Sequence, residues 1–154
     1  MKINKCRVCE SKNLTKCLNL GNQYLTGVFP ENNKQKISTG NLSLVYCNNC
    51  TLLQLSENFN RFEMYGSNYG YMSSLNQSMV NHLKNKSEKI KKIAKLSKND
   101  LIVDIGSNDG TFMKNFNKKN IVGIEPCKNV ERLTKKNGLN TYPYYWNIKT
   151  SKFL

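Results

Sequence analysis

Between Ser73 and Leu96 the apolar residues Leu75, Met79, Leu83, Ile90, Ile93 and Leu96 recur mostly at three- and four-residue intervals, with no Gly or Pro among them. That spacing predicts one amphipathic helix, with Ser73 or Ser74 as its N-cap. Lys84, Lys86, Lys89, Lys91, Lys92, Lys95 and Lys98 crowd the polar side, which reads as a solvated face before it reads as a phosphate-binding ridge. The period then changes. Leu101-Ile102-Val103-Asp104-Ile105 is a short apolar run suited to a buried parallel strand, and a Gly-rich turn and a helical stretch around Phe112, Met113 and Phe116 follow it. A second strand, Ile121 to Glu125, leads into a helix with Val130 and Leu133 inward. Gly138 stops that helix, a third strand starts between Leu139 and Tyr142, and 147–154 begins a further helix. A βαβαβ run of this kind is the repeating unit of a doubly wound sheet.

The first 70 residues carry a different pattern. Short apolar runs, Leu42 to Tyr46 and Leu52 to Leu55, read as short strands, and the polar stretch Glu31 to Gly40 after Pro30 reads as a loop. So little apolar material cannot hold a domain together unaided. The expected fold class is therefore α/β in three parts: a small loop-rich domain over 1–70, a linking amphipathic helix over 71–98, and the first half of a Rossmann-like sheet over 99–154.

Composition narrows the function. The chain has 154 residues and a formal net charge of +14, but 21 Lys and 24 Asn accompany only 3 Arg. That bias follows A/T-rich codons, and the Lys residues are dispersed, whereas a nucleic-acid surface concentrates Arg and Lys on one face. Nucleic acid is thus a weak expectation. No apolar run reaches membrane-spanning length, and the start Met1-Lys2-Ile3-Asn4-Lys5-Cys6 lacks the apolar core of a secretory signal, so the expected location is cytoplasmic, away from membranes.

In a reducing compartment, Cys-x-x-Cys pairs serve as metal ligands or redox thiols. Cys6-x-x-Cys9 and Cys47-x-x-Cys50 lie 37 residues apart and supply four thiolates in two close pairs, the donor set of a structural Zn²⁺. A redox dithiol needs only one pair and usually opens a helix beside a thioredoxin-like strand. A closed four-cysteine site leaves no coordination position for catalysis, so such a metal serves folding. A zinc ribbon that binds nucleic acid or a protein partner, without catalysis, remains the competing reading. Cys17 and Cys127 stand alone as ordinary thiols.

Asp104-x-Gly106-Ser107-Asn108-Asp109-Gly110 joins the first strand of the C-terminal run to its helix. Small residues there let backbone approach a ligand, and the helix start offers free N–H groups. The spacing is not the Gly-x-Gly-x-x-Gly of a dinucleotide site. With Glu125 closing the next strand, where a carboxylate can accept from both ribose hydroxyls, it suits S-adenosylmethionine (SAM).

Together these residues resemble the SAM-dependent sugar C-methyltransferases that modify nucleotide-linked deoxysugars. The matches are Cys6, Cys9 and Cys47-x-x-Cys50 running into Leu52-Leu53-Gln54-Leu55, then Tyr69-Gly70-Tyr71-Met72-Ser73, Asp104 to Thr111, and Gly123-Ile124-Glu125-Pro126. The resemblance implies a zinc-binding N-terminal domain, a class I methyltransferase sheet, and a nucleotide-sugar substrate. It implies a cofactor-binding set of Asp104, Gly106, Ser107, Asn108, Asp109, Gly110 and Glu125, with Gly106, Asn108 and Glu125 in contact with SAM. Tyr71 and Ser73 would cover the cofactor. Tyr69 and Tyr71 serve equally well as packing residues, and His82, inside the helix beside Leu83, reads as a packing or surface residue. Thr51 and Met72 depart from the family, which often has Gly and Arg there. Family members continue past the cofactor site, so the catalytic residues are expected beyond Leu154, and a second polypeptide supplying the remaining half is an expected partner.

Overall fold

The computed structural model describes residues 1–25, 30–67 and 69–153. It divides into two compact units, Met1–Met64 and Tyr65–Leu154.

Unit 1 is built on an antiparallel three-stranded sheet, β1 (Leu14–Tyr24), β2 (Thr39–Cys47) and β3 (Leu53–Leu55), in the order β1-β2-β3. β2 and β3 realise the two apolar runs, and the polar stretch from Glu31 ends at Ser38, since Thr39 and Gly40 already pair with Tyr24 and Gln23. β1 has no counterpart among the sequence expectations. Its side chains are nearly all exposed and its pairing with β2 is interrupted twice, between Lys16 and Leu18 and between Asn19 and Asn22. Such irregularities are β-bulges, which erase the two-residue alternation by which a strand is recognised. Gly21, in the second interruption, has φ +72°, a left-handed conformation that costs glycine nothing. A one-turn helix, α1 (Arg61–Met64), ends the unit.

Unit 2 opens with a 3₁₀ turn, Ser73–Leu75, followed by α2 (Gln77–Ala94). The helix thus starts four residues after Ser73, and its cap is Asn76, whose side-chain oxygen accepts from the N–H and hydroxyl of Ser78 at 2.9 and 2.8 Å. Ser73 and Ser74 are not the caps, because they lie within the 3₁₀ turn and the chain passes through an extended conformation at Asn76 before the helix begins. The helix ends at Lys95 in a left-handed conformation. His82 is exposed, as expected of a surface histidine.

β4 (Ile102–Ile105), β5 (Ile121–Ile124) and β6 (Thr141–Tyr142) form a parallel sheet in the order β4-β5-β6. The central strand is buried along its whole length, which explains its unbroken apolar sequence. Between β4 and β5 lies a 3₁₀ turn, Met113–Asn115, in place of a longer helix, and Met113, Phe116, Ile121 and Leu139 pack as the core beneath it. Between β5 and β6 runs α3 (Lys128–Lys136), which buries Val130, Glu131 and Thr134 and leaves Leu133 exposed. Gly138 follows the helix at φ +71°. The expected helix at 147–154 is a 3₁₀ turn, Thr150–Phe153, with Leu154 outside the described residues. The α/β class therefore holds: a small unit of short strands, an amphipathic helix, and a parallel sheet. No helix among the described residues is long and apolar enough to cross a membrane.

Candidate metal centre and cofactor cavity

In unit 1 the two Cys-x-x-Cys turns come together. The sulfurs of Cys6, Cys9, Cys47 and Cys50 lie within 4.8 Å of one another, with Cys6 to Cys50 at 3.6 Å and Cys9 to Cys47 at 3.5 Å. Four sulfurs about 2.3 Å from a tetrahedral zinc stand about 3.8 Å apart, so the cage already has close to the size the ion requires. Each turn is closed by backbone, Glu10 N–H to the Cys6 carbonyl at 3.1 Å and Thr51 N–H to the Cys47 carbonyl at 2.9 Å. Both closing residues have positive φ, +60° for Glu10 and +63° for Thr51. That is the physical reason a glycine suits position 51. Thr51, β-branched and left-handed, carries strain there.

The sulfurs differ in acidity. Backbone N–H groups of Cys9 and Val8, aimed at the Cys6 sulfur, hold its thiol down at about 6. Cys50 receives the N–H of Leu52, which lowers it, but the neighbouring sulfurs of Cys9, Cys6 and Cys47 together with burial push it up to about 12. Four thiolates cannot coexist here without a cation, and a dication removes that conflict. Arg7, inside the first turn, fastens the cage to the sheet. Its guanidinium donates to the Gln54 side-chain oxygen at 3.1 Å, the Leu55 carbonyl at 2.6 Å, the Glu57 carbonyl at 3.1 Å and the Asn58 side-chain oxygen at 2.7 Å. Sequence reasoning passed over Arg7, because its partners lie about fifty residues away.

In unit 2 the ends of β4 and β5 open into a cavity of about 410 Å³ lined by Tyr65, Tyr69, Tyr71, Ser73, Gly106, Asn108, Glu125 and the run Tyr144-Tyr145-Trp146, among others. That volume falls in the ordinary range of small-molecule sites, about 300–1,000 Å³. Glu125 is 5% exposed. One carboxylate oxygen accepts from the Asn108 N–H and the other from the Cys127 N–H, both at 2.8 Å. A carboxylate has about four acceptor positions, so two remain for a ligand. Gly106 has φ +77° and open space where a Cβ would stand, so its backbone lies open to the cavity.

The other turn residues have different duties. The Asn108 side chain accepts from the Ser73 N–H at 2.8 Å and donates to the Tyr71 carbonyl at 3.1 Å, so its amide clamps the Tyr71 to Ser73 segment over the turn. Asp109 is buried and accepts from the Ser74 N–H at 2.9 Å and from the Thr111 N–H and hydroxyl at 3.1 and 2.6 Å. Burial raises the Asp109 carboxyl, yet these hydrogen bonds outweigh it and hold it below the usual range. Gly110, at φ +76°, faces Leu139 and Thr134 so closely that a Cβ would collide with both. Ser107 packs its hydroxyl against Gly123, and that hydroxyl has no hydrogen-bond partner. Asp104 also has an unpartnered buried oxygen, and burial, reinforced by Glu125 and partly offset by Lys86, pushes its carboxyl up to about 6. Cys127 is a buried thiol whose acidity burial and Glu125 suppress, to about 12.

Of the aromatic wall, sequence reasoning named Tyr69 and Tyr71 but missed Tyr65, Tyr144, Tyr145 and Trp146. Tyr65 and Tyr69 rings lie 5.7 Å apart, Tyr145 donates its hydroxyl to the Tyr65 carbonyl at 3.2 Å, and Asn129 donates to the Tyr69 carbonyl at 2.7 Å. The available signal was the dense aromatic run immediately after the third strand.

Two comparisons bear on the class of protein. Residues 6–65, the segment that holds the four cysteines, match a methyltransferase family model described as "Putative zinc binding domain". The chain as a whole is similar to C-methyltransferase NovU of Streptomyces niveus, with 26% identity over 145 residues, 92% of this chain and 34% of that protein. The resemblance read from the sequence is thus met by both comparisons: the family model covers the zinc-binding segment, and the relative is a C-methyltransferase. The chain spans about a third of the relative's length.

Proposed function

We propose that unit 2 binds SAM and that the protein contributes this cofactor-binding half to a C-methyltransferase acting on a nucleotide-linked deoxysugar. The observation that carries the reading is Glu125, a buried carboxylate held by two backbone N–H groups with acceptor positions left over, at the end of β5 and in the wall of an aromatic cavity. Ribose hydroxyls need such acceptors, and the aromatic side chains around it suit a purine. A nucleic-acid module has no use for a buried acid in an apolar cavity.

When bound, SAM supplies an electrophilic methyl group on a sulfonium. Glu125 orients the ribose, the backbone at Gly106 lies alongside the ligand, and the aromatic side chains keep water from it. The Asn108 clamp holds Tyr71 and Ser73 across the site. Carbon methylation needs a base that takes a proton beside a carbonyl and an acceptor held in line with the methyl group. Both are assigned to a second polypeptide segment that pairs with β4, which among the described residues has a strand neighbour on one side only. Zinc at Cys6, Cys9, Cys47 and Cys50 holds unit 1 folded and takes no part in the transfer.

Trp146 is the one tryptophan and lines the cavity, so its fluorescence reports occupancy. SAM is expected to perturb it saturably while NAD does not. Perturbation by NAD with none by SAM would refute the reading.

A further inference from the structure

Unit 1 has a hollow of its own, about 320 Å³, lined by Lys2, Lys12, Lys16, Ser43, Ser56 and Glu57 among others. Its floor is the three-stranded sheet. Ser43 and Val45 alternate onto one face of β2, and Lys16 of β1, paired with Val45, lies on that same face. Just past β3 the Ser56 N–H donates to the Ser43 carbonyl at 2.8 Å, and the Ile3 N–H donates to the Ser56 carbonyl at 2.8 Å, so backbone fixes the segment that carries Lys2 against the sheet. Ser43 and Ser56 are 3% and 5% exposed, yet neither hydroxyl has a hydrogen-bond partner among the described residues. A buried hydroxyl without a partner costs stability, so two of them in the wall of one hollow mark a place that a polar ligand completes.

Charge says which ligand. Lys2, Lys12, Lys16 and Glu57 take part in none of the ion pairs among the described residues, which join Lys5 to Glu10, Lys91 to Glu88 and Lys135 to Glu131. Three ammoniums and one carboxylate leave the hollow with a net charge of +2, and its lining contains no aromatic side chain against which a base or a sugar ring could lie. Ammoniums only donate hydrogen bonds, and the two serine hydroxyls are free to donate. The complement of such a wall is a group that only accepts and carries about two negative charges, which is the chemistry of phosphoryl oxygens. The lysines come from three separate stretches of chain and the hollow exceeds what one phosphate needs, which favours two linked phosphates over one. We propose that this face of unit 1 is an oxyanion site that takes a diphosphate group, with Lys2, Lys12 and Lys16 supplying the charge and Ser43 and Ser56 the buried hydrogen bonds. The site lies wholly within unit 1, is independent of the SAM reading, and gives the metal-held unit a binding duty.

The test is calorimetry of inorganic pyrophosphate on the full zinc-bound chain at fixed ionic strength, with orthophosphate and uridine diphosphate as further arms and the zinc content measured before and after. Pyrophosphate is expected to bind about tenfold more tightly than orthophosphate. Uridine diphosphate that binds as well as pyrophosphate identifies a nucleotide-borne group, and weaker binding identifies the free anion; either result upholds the site. Ser43→Ala should lose about tenfold in pyrophosphate affinity, the scale of one hydrogen bond to a charged group, while its urea midpoint stays level or rises, because the hydroxyl removed has no partner in the free protein. Lys16 is exposed, so Lys16→Gln should fold normally and lose affinity to a similar degree. Lys34→Gln removes the same charge from an exposed residue outside the hollow and should change affinity little. Full affinity in Ser43→Ala, equal losses in Lys16→Gln and Lys34→Gln, no preference over orthophosphate, or no binding of pyrophosphate to wild type would each overturn the assignment.

Discussion

Asp104 sits at the end of β4 with burial as the main force on its carboxyl, so replacing it by a neutral isostere has a calculable consequence. Raising the carboxyl from 3.8 to about 6, at about 1.4 kcal/mol per tenfold change in proton affinity, corresponds to roughly 3 kcal/mol. The sign follows from which state binds the proton more tightly. Below about pH 4 the folded and unfolded chains both carry the neutral acid, and the site contributes no penalty. Between about 4 and 6 the unfolded chain ionises freely while the folded one resists. Stability is lost across that window and stays lost above it. Asp104→Asn cannot ionise, so its stability relative to wild type should improve by about 2–3 kcal/mol between pH 4 and pH 8, whatever constant offset the amide introduces. Urea unfolding followed by Trp146 fluorescence reads unit 2 alone, independent of what low pH does to the metal in unit 1. A difference between variant and wild type that is the same at both pH values would refute the argument.

Cys9→Ser and Cys50→Ser should each lose the bound zinc in elemental analysis and unfold unit 1, since the cage supplies the folding energy that a thin core cannot; full zinc retention in both would sink this ligand set. Thr51→Gly should stabilise unit 1 by about 0.5–1 kcal/mol, the relief of a left-handed β-branched residue less the entropy glycine loses on folding, read as a higher urea midpoint with zinc bound. Arg7→Ala, which removes the guanidinium contacts to Gln54, Leu55, Glu57 and Asn58, should lower that midpoint by the equivalent of about 2 kcal/mol, and an unchanged midpoint would show that the clamp is not needed. Among the described residues β4 has one unpaired edge, with Leu101 and Ile105 exposed beside it, so the chain should associate at high concentration and Ile105→Lys should suppress this in size-exclusion chromatography. A wild type that stays monomeric at every concentration would contradict it.

The C-terminal unit was more legible in the sequence than the N-terminal one, for a physical reason. Ile121 to Ile124 is apolar because the strand is covered on both faces, and the Gly106 turn is small because the chain there turns with positive φ beside the open cavity. Local demands of that kind leave local marks. β1 left none, since its exposed side chains and two bulges obey no alternation, and its strand form comes from pairing with β2. The paired cysteines showed the metal cage by spacing alone, whereas Arg7, its brace, was hidden by the length of chain between it and its partners. Ser73 and Ser74 look like caps for α2, but they form a separate 3₁₀ turn whose N–H groups serve Asn108 and Asp109, and the helix begins after the extended Asn76. Leu133 looked inward by pattern, but Thr134 is the buried residue there, with its hydroxyl on the Asn108 carbonyl at 2.9 Å. The turn acids and amides divided their work in a way no spacing shows, with Glu125 facing the cavity and Asn108 and Asp109 bracing the segment that covers it.

Titration calorimetry of SAM against wild type and Glu125→Gln tests the central claim most directly. The amide keeps the shape of the side chain and a carbonyl for one backbone N–H, but it loses the charge and the acceptors that the second oxygen offers. The account predicts binding to wild type and at least a tenfold loss in the variant, with the urea midpoint of unit 2 measured alongside to show that both proteins are folded. Equal affinity in two folded proteins would take Glu125 out of the site and contradict the account.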